Sequence, residues 1–128
     1  MKFNESMEMY LETILLLEEN HGHAHGVDIA KKLRVSKPSV TKAMNILKEN
    51  GFVNKETYGT ITLTKKGLEY SKKIYSTHTL ISKYLEKSLG LKRIEATKNA
   101  CKMEHVISTV MLDAIKTYLE SEDKDDNY

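Results

Sequence analysis

The chain has 128 residues, 40% apolar and 30% charged, with a single proline and no serine- or glycine-rich run, a composition that excludes a disordered chain and fits one domain, or one small domain with a helical extension. Its one cysteine, Cys101, cannot close an internal disulfide, and the longest apolar run, Ile14–Leu17, falls far short of the ~20 residues that cross a bilayer; with no secretory pattern at the start, a cytoplasmic, reducing location and no membrane partner are expected. Net charge is only +2, yet residues 27–75 hold 11 Lys/Arg against 4 Asp/Glu, while residues 1–26 and 118–128 each hold 1 against 5.

The first element is an amphipathic helix over residues ~5–20, read from Met7, Tyr10, Leu11, Ile14 and Leu17 at helical spacing. The run His21-Gly22-His23-Ala24-His25-Gly26 breaks it. Val27, Ile29, Ala30 and Leu33 then mark a short second helix, followed by a tight turn at Arg34-Val35. Ser36 is a good N-cap for a third helix, with Pro38 tolerated in its first turn. Val40, Ala43, Met44 and Leu47 face inward, and Asn50-Gly51 ends the helix.

Phe52–Lys55 and the alternating Thr60-Ile61-Thr62-Leu63 fit a β-hairpin turning around Tyr58-Gly59. Met44, Leu47, Ile61 and Leu63 read as core. Thr64 can cap a long helix over ~65–89, which Gly90 ends, and two more helices are expected at ~92–107 and ~109–121. The fold class is therefore mainly α with a small hairpin. The domains expected are a winged helix-turn-helix over 1–72, a helical domain over 73–121, and an acidic, frayed tail over 122–128.

A short helix, a tight turn and a capped second helix make a helix-turn-helix, and a following hairpin makes it winged. The third helix offers Ser36, Lys37, Ser39, Thr41 and Lys42 near its N-terminus, where free N–H groups and a partial positive charge favour phosphate. Lys42 could reach guanine O6/N7. Lys55 and Lys65 flank the hairpin, so a wing along the DNA backbone is plausible with Tyr58 at its tip. The competing reading is a capped surface helix with ordinary solvated lysines.

The stretch Cys101-Lys102-Met103-Glu104-His105 carries different chemistry. On a helix, positions i, i+3 and i+4 share a face, so thiolate, carboxylate and imidazole from Cys101, Glu104 and His105 converge. The first helix carries Met9, Glu12 and Leu16 on the side away from its apolar stripe, which brings a thioether and a carboxylate; His78, midway along the long helix, is a further candidate. Singly, each has a structural alternative, since a lone Met or Cys is usually packing. Together the mixed N/O/S set suits Fe²⁺, Co²⁺, Ni²⁺ or Zn²⁺, and the sulfur donors Met9 and Cys101 favour Fe²⁺ as the physiological ion. His21, His23 and His25 form a short histidine tract that either binds metal or is a flexible turn. A Cys101–His105 nucleophile and base would suit an enzyme, but there is no glycine-rich phosphate loop, no oxyanion hole and no orienting third group. No organic cofactor is expected.

Five stretches resemble the diphtheria toxin repressor family of iron- and manganese-dependent regulators: Ser6–Ile14, Asp28–Ala30, Val35–Thr41, Leu63–Gly67 and Ala100–Ser108. In length the chain is similar to the short manganese-regulator branch without the SH3-like domain. The resemblance implies a homodimeric repressor that binds palindromic operator DNA near metal-uptake genes when loaded with Fe²⁺ or, alternatively, Mn²⁺. It implies DNA contact by Ser36, Lys37, Pro38, Ser39, Thr41 and Lys42. It also implies metal ligation by Met9, Cys101, Glu104 and His105 as in iron-type members, with Glu12 and His78 at positions that bind metal in manganese-type ones. A manganese-type site would have Asp at position 9 and Glu at 101; an iron-type ancillary site would have Glu at 82 and His at 97, where this chain has Ser82 and Thr97. Dimerisation is expected through Met103, Ile107, Met111, Leu112 and Ile115. The rival is a winged-helix regulator that is metal-independent or senses a small organic ligand.

Overall fold

The computed structural model describes residues 4–55 and 59–125. The elements run α1 (Glu5–His21), β1 (Ala24–His25), α2 (Gly26–Leu33), α3 (Lys37–Glu49), β2 (Val53–Lys55), β3 (Thr60–Leu63), α4 (Lys65–Leu89), α5 (Arg93–Met103) and α6 (Thr109–Asp125). The chain divides into two compact units between Lys73 and Ile74, and α4 contributes to both.

In the first unit each helix is bounded by local chemistry. Asn4 Oδ1 accepts the Met7 N–H at 3.0 Å, which satisfies one orphan donor of the first turn, and Glu5 and Glu8 there complement the helix dipole. Gly22 closes α1 in the left-handed region at φ 80°, its N–H bonded to the Glu18 carbonyl. Ser36 caps α3, accepting the Ser39 N–H at 3.2 Å. The turn between α2 and α3 rests on Arg34, a non-glycine residue at φ 56°, with the Val35 N–H returning to the Ala30 carbonyl at 3.1 Å.

The core of this unit joins Leu11, Ile14 and Leu17 of α1 to Ile29 and Ala30 of α2, to Val40, Ala43, Met44 and Leu47 of α3, and to Phe52, Val53 and Ile61. Burying one such large side chain stabilises the fold by about 1.5–3 kcal/mol. The sheet is three-stranded and antiparallel in the order β1-β3-β2. Val53 pairs Leu63 and Lys55 pairs Ile61 in the hairpin, while Ala24 pairs Ile61 and His25 pairs Thr60 on its other side. Strand β1 falls in the segment expected only as a break between helices; its partner lies more than thirty residues away.

Gly67 shows why the start of α4 is built as it is. A Cβ at this position would overlap the Phe52 carbonyl oxygen, which accepts the Thr64 N–H at 3.1 Å. Thr64 Oγ1 accepts the Gly67 N–H at 3.0 Å and donates to the Gly51 carbonyl at 2.6 Å. Cap, turn and helix start thus lock onto the end of α3.

The second unit packs Ile81 and Leu85 of α4 against Ala96 and Ala100 of α5 and Ile115 and Leu119 of α6. The two alanines let α5 approach closely. Tyr84 and Tyr118 meet edge to face at 5.3 Å. Lys87 Nζ lies 2.8 Å from Asp123 Oδ1, and its hydrogen bond and charge hold the Asp123 carboxyl below its ordinary value.

Three expectations are corrected here. Helix α5 ends at Met103 rather than near 107, because Ser108 caps α6 through the Met111 N–H at 3.1 Å and the chain must turn to reach that cap. Helix α6 runs to Asp125, so residues 122–125 of the expected frayed tail are helical, with Asp123 tied to Lys87. Ile115, expected at a dimer interface, is 1% exposed inside its own unit's core and presents nothing to a partner.

Candidate functional site

Four of the six expected metal ligands gather in the second unit. Helix α4 presents His78, and the last turn of α5 and the turn that follows present Cys101, Glu104 and His105. His78 Nδ1 lies 3.2 Å from Glu104 Oε2 and 3.8 Å from Cys101 Sγ. His105 Nε2 lies 3.3 Å from Glu104 Oε1. Ligand atoms of His78, Cys101 and Glu104 all fall within 4.8 Å of one another.

The early end of α5 does not scatter these donors. Glu104 keeps helical dihedrals (φ −59°, ψ −25°), and its N–H still bonds the Ala100 carbonyl. Cys101 and Glu104 therefore remain one turn apart on one side. His105 sits in the turn proper, held by the Val106 and Ile107 N–H groups, both of which bond the Met103 carbonyl.

The donors fit a metal on physical grounds. The side chains of Glu104 and His105 are each 1% exposed, and Glu104 Oε2 is buried without a hydrogen bond among the described residues. Burying a carboxylate costs several kcal/mol unless charge or hydrogen bonds compensate it. A dication held beside Glu104 would offset that cost. Imidazole, carboxylate and thiolate together form the donor set of a borderline transition metal.

The remaining two expected ligands are on α1, in the first unit. Met9 is 42% exposed and Glu12 is half-buried. The carboxylate that α1 does bury is Glu8, which accepts a 2.6 Å hydrogen bond from the Tyr70 hydroxyl. Sequence reasoning missed this pair, whose Tyr70 ring packs against the core of the first unit beside Phe52.

The residues expected to contact DNA lie in the first unit. Ser36, Lys37, Pro38, Ser39, Thr41, Lys42 and Lys55 are all exposed; Tyr58 lies outside the described residues. The hydroxyls are engaged locally: Ser36 and Ser39 share a 2.8 Å bond, and Thr41 Oγ1 donates to the Lys37 carbonyl at 3.2 Å. The lysines are thus the longer-reaching donors of this face. Between α3 and the hairpin lies a cavity of about 450 Å³ with Lys37, Thr41 and Lys55 at its rim and Val40, Met44 and Ile61 at its base.

Comparison with known proteins decides the family. A model described as the iron dependent repressor N-terminal DNA binding domain matches residues 2–61, and one described as the iron dependent repressor metal binding and dimerisation domain matches residues 64–127. The chain belongs to the iron-dependent repressor family. Members of this family are metal-dependent transcriptional regulators, not enzymes.

Among its relatives, an uncharacterised HTH-type transcriptional regulator of Methanocaldococcus jannaschii is 39% identical over 118 residues, covering 91% of this chain and 94% of that protein. The transcriptional regulator MntR of Bacillus subtilis is 31% identical over 121 residues, covering 94% and 84%. The fold is that of T. acidophilum IdeR (TM-score 0.81, 23% identity, 88% of this chain and 53% of that one). It is also similar to the manganese regulator SloR (TM-score 0.77, 30% identity, 94% and 55%). The chain spans about half the length of these two solved proteins. Among the described residues, no helix is long and apolar enough to cross a membrane.

Proposed function

We propose that this iron-dependent repressor family member is a cytoplasmic homodimer that binds a palindromic operator when loaded with Fe²⁺, or alternatively Mn²⁺, and controls metal-uptake genes. The observation that carries the reading is the buried Glu104 carboxylate, with His78 and Cys101 beside one oxygen and His105 beside the other. The metal ligands would be these four with Met9 and Glu12 from α1. The solved relatives include manganese regulators, which keeps Mn²⁺ in play, while thiolate and thioether favour Fe²⁺.

Bound there, a divalent ion would supply charge compensation for Glu104 and a bridge between helices that carry ligands. The residues do the rest. Glu104 holds the anionic position, His78 presents Nδ1, and His105 is fixed by the turn after α5. Met9 and Glu12 are on the same helix whose Leu11, Ile14 and Leu17 pack on the helix-turn-helix, so constraining α1 would bias the DNA-binding unit. Metal and DNA would then raise each other's affinity, and a tenfold gain needs about 1.4 kcal/mol of coupling.

On the DNA side, Lys37, Lys42 and Lys55 would contact phosphates or bases, with Ser36 organising the helix start. Dimerisation would use exposed Met111 and half-buried Met103, Ile107 and Leu112. Ile94, Val106 and Val110 are further exposed apolar side chains of the second unit. The test is fluorescence anisotropy on an operator duplex recovered by selection from random DNA, with Fe²⁺ under anaerobic conditions, with Mn²⁺, and with chelator. Tight binding with metal and loss with chelator is the expected result; equal binding in all three overturns the proposal.

A further inference from the structure

The histidine tract between α1 and α2 is not used by the metal centre of the second unit. His21 is the last residue of α1, His23 follows Gly22, and His25 ends β1 at the N-cap position of α2, its ring making no capping bond. The rings of His23 and His25 stand 4.7 Å apart between centroids, at 77° to each other. Two imidazoles on one tetrahedral zinc, with Zn–N bonds of about 2.0–2.1 Å, have centroids roughly 5 Å apart. The pair meets edge to face, at a centroid separation close to that of two rings sharing an ion.

Further donors are at hand. His21, His23 and Asp28 line one hollow at the surface of the first unit, together with Lys31 and Lys32. No three donor atoms of His21, His23, His25 and Asp28 lie within 4.8 Å of one another, but His21, His23 and Asp28 are exposed and exposed side chains change rotamer on the picosecond-to-nanosecond timescale, so the site forms by rotation about the His23–His25 pair. The two lysines oppose a dication, and Asp28 offsets part of that charge. The donors are three imidazoles and one carboxylate without sulfur, a set for Zn²⁺, Ni²⁺, Co²⁺ or Cu²⁺.

The geometry points to a second divalent-metal site in the DNA-binding unit, formed by His21, His23 and His25 with Asp28, that takes a borderline ion such as Zn²⁺. It does not rest on the function proposed above. Its position gives it a route to the DNA face: β1 pairs with β3 through His25 and Thr60, and His25 lines the same cavity as Lys37 and Lys55. An ion here tethers the sheet to the end of α1.

The untagged full chain tests the site. Equilibrium dialysis against micromolar Zn²⁺ compares it with H21A/H23A/H25A, and the five histidine Cε1–H resonances are followed during zinc titration. The expected result is a loss of one zinc per protomer in the variant. In the parent, the resonances of His21, His23 and His25 should move along with any shifts of His78 and His105. H23Q/H25Q, which preserves side-chain bulk at the sheet, should show at least a tenfold weaker site with unchanged melting temperature. Equal zinc content in parent and both variants, or three tract resonances that stay still while zinc binds elsewhere, overturns the inference.

Discussion

Glu104→Gln separates a metal ligand from a mere packing residue. The substitution keeps the shape of a side chain that is 1% exposed and removes its charge between His78 and His105. At free metal one hundred times the dissociation constant, binding stabilises the folded chain by about 2.7 kcal/mol. For a chain of this size that is a rise in melting temperature of roughly 8–13 °C, at about 3–5 °C per kcal/mol. Losing an outer-shell partner already costs about 10–100-fold in metal affinity, and a direct anionic ligand costs no less. At about a 100-fold loss and the same free metal, the stabilisation falls to about 0.4 kcal/mol, or roughly 2 °C. Without metal the variant should melt at or above the parent, since no buried carboxylate is left to desolvate. Thermal melts followed by circular dichroism, with chelator and with Mn²⁺, measure all four values. A variant that keeps the full metal-induced rise refutes the assignment of Glu104.

Other parts of the structure make their own predictions. Gly67→Ala forces a methyl group into the Phe52 carbonyl; overpacking of about 1–3 kcal/mol exceeds the gain of about 1 kcal/mol in helix propensity, so a chemical-denaturation midpoint should fall. Ser36→Ala removes the cap of α3 and should cost about 1 kcal/mol by the same assay, with weaker DNA binding at unchanged metal affinity. Lys42→Ala should weaken DNA binding by anisotropy and, if the contact is to phosphate, reduce the slope of log affinity against log salt by about one. Met111→Glu places a charge on the exposed apolar surface of α6 and should shift sedimentation velocity from dimer to monomer while each protomer stays folded.

Much of the fold was legible because its punctuation is local. Ser36, the Asn50-Gly51 pair, Thr64 and Gly90 each act within a few residues, and all appear where their chemistry predicts. What was hidden depended on distant partners. Strand β1 exists because Ala24 and His25 meet Ile61 and Thr60, and no local pattern in a glycine–histidine run declares that. The end of α5 was masked by an apolar period through Ala96, Ala100, Met103 and Ile107 that continues past the helix; the signal was the Ser108 cap.

The site was legible to the same degree. Spacing pointed to Cys101 and Glu104 on one side because their i, i+3 geometry survives the early end of the helix, with His105 beside Glu104 in the turn that follows. That His78 would meet Glu104 was not derivable from spacing, since it depends on how α4 and α5 pack around Ala96 and Ala100. A helical stripe likewise cannot distinguish a face turned to its own core from one turned to a partner, which is why Ile115 was misassigned. Glu8 stands out by no local pattern, yet it is bonded to Tyr70, 62 residues on.

The most direct test of metal control is reciprocity. The dissociation constant of the metal is measured for the free protein and for its complex with the selected operator duplex, and that of DNA with and without metal. Linkage predicts that the two ratios are equal and at least about tenfold, or about 1.4 kcal/mol. A metal affinity unchanged by DNA would contradict the account, however tightly either ligand binds alone.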